Sequence, residues 1–124
     1  METNFRKTPR LFKVGLKNQI TIKDFGDISL EEDEQVTFNS KSGAKYDFTK
    51  KNWGFYATPS LAGRLRNHGY KALIMRNKET RQCYVVLVEI GHEQEFNCYC
   101  QDENQEVLMF LDNFEKLANM PIEK

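Results

Sequence analysis

The run Cys83-Tyr84-Val85-Val86-Leu87-Val88-Glu89-Ile90 constrains the fold more than any other part of the chain. Side chains alternate along a strand, and here both faces are apolar for most of the length. Such a strand is expected in the middle of a sheet, covered on two sides. A second extended segment, Tyr70 to Arg76, precedes it across the polar stretch Asn77-Lys78-Glu79-Thr80, which reads as a hairpin loop. That loop places Ile74 opposite Cys83 and Ala72 opposite Val85. Gly91-His92 then reads as a turn into a third strand, Glu93 to Gln101. Cys83 would face Cys100, Val85 would face Cys98, and Leu87 would face Phe96. The expected core face is Cys83, Val85, Leu87, Phe96, Cys98 and Cys100. A one-residue slip would turn all of them to the other side, so the register is a sharp expectation.

The rest of the chain adds strands and two short helices. Residues 1–10 are polar and read as a flexible arm, followed by a short strand at 11–14. Gln19 to Phe25 alternates, with Ile20 and Ile22 on one face, and Gly26-Asp27 reads as a turn. Glu31-Glu32-Asp33-Glu34 is too acidic for a core and reads as a solvated loop. Val36 and Phe38 point inward from the next strand, and Lys41-Ser42-Gly43 turns the chain into Ala44 to Phe48. Trp53-Gly54-Phe55-Tyr56 is a dense aromatic segment. A helix is expected from Pro59 to His68. Thr58 would be its N-cap, Pro59 fits the first helical position, Leu61, Ala62 and Leu65 form its apolar stripe, and Gly69 stops it. A final strand runs from Glu106 to Leu111. Asp112 and Glu115 have the spacing of a capping box before a C-terminal helix carrying Phe114, Leu117 and Ala118. The expected class is α+β: a single small domain over residues 1–124, mainly an antiparallel sheet of about five to seven strands. A small curved barrel with the 59–68 helix as a plug is the alternative architecture.

Charge is balanced overall, with 18 basic and 18 acidic side chains, but unevenly placed. Residues 41–81 carry ten basic and two acidic groups, while residues 82–124 carry two basic and nine acidic groups. The strands at 70–76 and 82–90 join these segments, so their charges are expected to offset on one sheet. Nucleic acid is therefore a disfavoured partner, and no zinc finger, GXXG loop or RNP-type strand supports one. No apolar run is long enough for a membrane span, and the start lacks a signal-peptide pattern, so a cytoplasmic location is expected. Cys83, Cys98 and Cys100 are an odd number at no redox or zinc spacing. They read as buried thiols, and neither a metal nor a cofactor is expected.

Motif searching is mostly exclusionary. Asp24-Phe25-Gly26 spells the magnesium-binding triplet of protein kinases, but only 23 residues precede it and none of the other kinase elements is present. No Walker loop, dinucleotide-binding glycine run or nucleophile elbow occurs. The candidate site is the segment from Trp53 to His68. Amides at the start of its expected helix, beside the Thr58 and Ser60 hydroxyls, suit an anion. Arg64 and His68 follow at one-turn spacing with Arg66 nearby, and Trp53 or Tyr56 could stack on a ring.

Three functions follow as expectations. The leading one is a non-catalytic protein-association domain, self-associating as a homodimer, whose N-terminal residues 1–14 add to a neighbour's sheet. The second is binding of a small anionic ligand, such as a nucleotide or sugar phosphate, by Trp53, Tyr56, Thr58, Ser60, Arg64, Arg66 and His68. The third is an enzyme on an anionic substrate, with His68 as acid or base and Arg64 holding the anion, although no catalytic residue is assigned.

Overall fold

The computed structural model describes residues 1–123. It is an α+β structure with antiparallel sheets, short helices beside the strands and a short C-terminal helix. The strands are β1 (Glu2–Val14), β2 (Ile20–Ser29), β3 (Gln35–Asn39), β4 (Lys45–Lys51), β5 (Gly54–Ala57), β6 (Tyr70–Asn77), β7 (Cys83–Glu89) and β8 (Gln105–Phe110). The helices are α1 (Arg64–Asn67), α2 (Glu93–Asp102) and α3 (Phe114–Ala118). The strands divide over three sheets, ordered β1-β2, β3-β4-β5 and β7-β6-β8, rather than forming the expected main sheet. Two compact units are present. One comprises Met1–Val36 with Phe48–Tyr56, and the other comprises Thr37–Asp47 with the chain from Ala57 onward. The β3-β4-β5 sheet contributes residues to both.

The second unit holds the core. β6, not β7, is its central strand, with β7 on one side and β8 on the other. Its neighbouring residues Ala72 and Leu73 point to opposite faces and are both 1% exposed. β7 lies at an edge, so Cys83, Tyr84 and Val85 are exposed, contrary to their expected place in the core. The observed pairs are Ile74 with Val85 and Ala72 with Leu87, two residues from the expected register. The cause lies in the loop. Asn77 remains on the strand, and its side-chain oxygen accepts from the Glu79 and Thr80 amides at 3.0 Å. Arg81 takes a positive φ of 65°, and the Asn77 amide closes on the Gln82 carbonyl at 2.9 Å. A two-residue shift keeps every side chain on its own face, so the facial pattern survives the wrong partners.

Residues 93–102 form α2 rather than a third strand. Phe96, Cys98 and Cys100 have the alternation of a strand, but Phe96 and Cys100 are also one helical turn apart. The Glu93 carboxylate accepts the Gly91 amide at 3.0 and 3.2 Å, and Glu93 and Glu95 favour the positive end of the helix. Phe96 and Cys100 then pack on Leu73, Met75, Val86 and Val88, while Cys98 is exposed. The three cysteines therefore do not share a core face.

On the other face of β6, α1 packs against the strand with Leu65 fully buried. The expected helix from Pro59 to His68 is reduced to four residues preceded by a turn. Thr58 is not its cap, because its amide donates to the Asp47 carbonyl at 3.0 Å and holds the chain extended. Ser60 organises the turn instead. Its hydroxyl accepts the Arg64 amide at 3.1 Å and its carbonyl accepts the Leu65 amide at 3.0 Å. At the C-terminal helix the cap is Asn113, one residue after the expected Asp112, with its side-chain oxygen accepting the Lys116 amide at 3.0 Å. Replacing Asn113 by Ala is expected to cost about 1 kcal/mol, read as a lower urea midpoint with an unchanged slope.

In the first unit, residues expected to form a flexible arm lie in β1, and Gly26, expected in a turn, lies within β2. Phe5 pairs with Gly26, and Arg10 pairs with Asp24, so the four residues Arg6 to Pro9 bulge opposite Phe25 alone. Pro9, which has no amide hydrogen to give a ladder, is accommodated there. Gly26 has a φ of 122°, and a Cβ on it would lie 2.0 Å from the Asn4 carbonyl oxygen, so only glycine lets β1 approach here.

Candidate functional site

The expected site residues separate between the units. Trp53 and Tyr56 belong to the first, and Thr58, Ser60, Arg64, Arg66 and His68 to the second. Trp53 is 68% exposed, and its ring stacks on exposed Tyr56 with centroids 6.3 Å apart. Phe55 is also exposed, with the Lys50 ammonium 5.2 Å above its ring. The second group does not form the expected anion cradle. The Ser60 hydroxyl takes the first α1 amide, and α1 is too short to present a row of free amides. Arg64 is exposed. Arg66 spends two nitrogens on Asp112 Oδ2, at 3.0 and 3.2 Å, and the Asp112 side chain is buried.

His68 is the most enclosed of these residues. Its Nδ1 is buried without a hydrogen-bond partner, 4.0 Å from Asp47 Oδ2. Asp47 is itself buried and accepts the Thr37 hydroxyl at 2.6 Å through its other oxygen. His68 also borders a cleft of about 440 Å³ shared with Ser42, Arg66, Glu89 and His92. The charges lining it are largely matched. Glu89 accepts the Ser40 and Ser42 hydroxyls at 2.6 and 2.9 Å and meets His92 Nε2 at 3.0 Å. The Ser40 bond, then that of Ser42, holds the Glu89 carboxyl below its usual range. Among the described residues, no cluster of three or more His, Cys, Asp or Glu could hold a metal.

The uneven charge of the sequence resolves across this unit. Arg66 pairs with Asp112, Lys71 with Glu93 at 3.2 Å, and Arg76 with Glu106 at 2.8 Å, each joining the basic middle segment to the acidic last third. Arg76 donates two hydrogen bonds to Glu106, and these lower the carboxyl's pKa. That stabilisation is complete above the ordinary glutamate range and is lost as pH falls through it to the lowered folded value. Glu106→Gln is therefore expected to be less stable than the native chain at pH 7. The difference should shrink as pH falls below the ordinary glutamate range, measured by urea unfolding along the pH series.

The surface that sequence reasoning missed lies on the β1–β2 ribbon. No residue of either strand is buried. Pairing Phe12 with Ile22, Val14 with Ile20, Thr3 with Ile28 and Phe5 with Gly26 places Phe5, Phe12, Val14, Ile20, Ile22 and Ile28 on one face, with the paired Arg10 and Asp24 in its middle. Of these, Phe5, Phe12, Ile22 and Ile28 are exposed large hydrophobics. The opposite face carries Leu11, Lys13, Lys23, Phe25 and Asp27. Arg10 covers Phe12 at 4.8 Å and pairs with Asp24 at 3.0 Å, which fixes the ribbon beside the bulge. Asp24 also accepts the Gly26 amide at 2.9 Å, and this bond, ahead of that from Arg10, lowers its pKa. The alternation of Ile20 and Ile22 was legible in the sequence, but its pairing with Phe12 and Val14 was not.

Compared with protein-family models, curated proteins and solved structures, the chain matches none.

Proposed function

We infer that this chain is a non-catalytic association module whose partner is a second copy of itself, engaged through the β1–β2 ribbon. One observation carries the reading: the ribbon presents an apolar face on two paired strands, none of whose residues is buried. A two-stranded antiparallel ribbon is marginally stable in water by itself, and a stable one needs further strands or a packed covering. The second copy is favoured because the outer edge of β2 is complementary to itself. Lys23 and Asp27 stand two residues on either side of Phe25, with opposite charges. A partner with a uniform charge would leave one of them unmatched.

Light scattering tests association directly. A mass at or above twice the 14.6 kDa chain supports it. A monomer at all concentrations refutes it.

The small-anion reading has the 440 Å³ cleft beside Arg66 and His68 in its favour. It carries less weight because Arg66 is paired with Asp112 and the cleft contains the Glu89 carboxylate. Stabilisation by nucleotides or sugar phosphates in a thermal-shift screen would promote it over self-association.

A further inference from the structure

We propose that two copies join through the outer edge of β2, antiparallel about a two-fold axis at Phe25, merging their ribbons into one four-stranded sheet. The proposal rests on the self-association read above and specifies its contact.

Among the described residues β2 pairs only with β1, so its other edge has no partner strand there. Its backbone groups there are available to another strand. Centring the pairing on Phe25 places Phe25 opposite its symmetry mate and Lys23 opposite Asp27 of the second copy. Ile22 then lies opposite the second copy's Ile28. Each of the last two pairs occurs twice, once on each side of the axis. The charged pairs and Phe25 share one face, while on the other the two isoleucine pairs flank Asp24, which lies opposite Gly26 of the second copy.

Neighbouring registers are worse. Centring on Asp24 brings two aspartates face to face. Moving half a step toward Gly26 sets Asp24 against Asp27 twice. Centring on Gly26 places Asp27 against Phe25 and Lys23 against Ser29. Of these registers, from Asp24 to Gly26, the Phe25 one matches each Lys23 with an acid and each Ile22 with an apolar residue. Within its own ribbon, Lys23 pairs with Leu11 and Asp27 with Asn4, so neither charge has an opposing charged residue there. Four strands also supply the strand number that the two-stranded ribbon lacks.

A charge swap tests the register without altering an apolar contact. Lys23→Asp should weaken association of the full chain roughly tenfold, because each copy's new aspartate meets Asp27. Asp27→Lys should do the same with two cations. The double variant Lys23→Asp/Asp27→Lys should restore native affinity, since the pairs reform with their signs exchanged. Sedimentation velocity measures each dissociation constant, and far-ultraviolet circular dichroism checks the fold. Native association by all three variants would overturn this contact while leaving ribbon association standing. Weakening without restoration would also overturn it. A native chain that stays monomeric overturns both.

Discussion

Replacing Phe12 by Lys and Ile22 by Glu together should weaken self-association roughly thirtyfold. The two residues face each other across the ribbon. Ile22 is 38% exposed beside the junction, so more than a third of its surface can be withdrawn from water on assembly, while Phe12, 37% exposed, lies a strand away on β1. Full burial of such a side chain contributes roughly 1.5–3 kcal/mol, and the exposed portion therefore about 1 kcal/mol. The junction uses Ile22 from each copy, for a total of about 2 kcal/mol, equivalent to roughly thirtyfold in dissociation constant. The opposite charges of the replacements keep the cross-strand pair attractive within the ribbon, so the change removes apolar surface without forcing the strands apart. Sedimentation velocity should show the variant as a monomer where the native chain is assembled. The native thermal transition of the second unit should persist, since its core is built from β6, β7 and α2.

Leu73→Ala should have the largest effect on folding. Leu73 is 1% exposed at the centre of the cluster with Met75 and Val88, beneath Phe96 and Cys100 of α2. Truncation removes the burial of several carbons and leaves a cavity between sheet and helix, at a cost of about 2–5 kcal/mol. For a domain with a stability of roughly 5–15 kcal/mol, that is a large fraction. Val85→Ala is the matching control. Val85 is 72% exposed on the edge strand, and its change should stay within about 0.5 kcal/mol. Urea unfolding of both variants distinguishes β6 as the central strand from the sequence expectation, in which Val85 lies in the core and would give the larger loss.

The contrast between Leu73 and Val85 shows what was legible in the sequence. The hairpin Tyr70–Ile90 was readable because its apolar alternation is local, and so were the α+β class and the C-terminal helix. Which strand lies in the middle was not readable. It depends on β8 pairing with the free side of β6, a contact between segments about 30 residues apart that leaves no local pattern. α2 was misread because Phe96, Cys98 and Cys100 satisfy a strand period while Phe96, Tyr99 and Cys100 satisfy a helical one. The deciding signal was Glu93, able to accept the Gly91 amide and complement a helix start.

The site followed the same division. The structure brings Arg66 and His68 to one cleft, but the helix start meant to hold an anion with them is consumed by Ser60. The ribbon was hidden by its polar opening residues and by Pro9, which argues against a strand unless a bulge takes it. Once Arg6 to Pro9 bulge opposite Phe25, the residues on either side pair normally and expose an apolar face that no local reading of residues 1–10 suggests.

Self-association through this ribbon is tested most directly by sedimentation equilibrium of the native chain from low to high micromolar concentration. Its mass should rise from 14.6 kDa toward twice that value or more, with the Phe12→Lys/Ile22→Glu variant remaining at the monomer mass. A native mass that stays at 14.6 kDa throughout, indistinguishable from the variant, would contradict it.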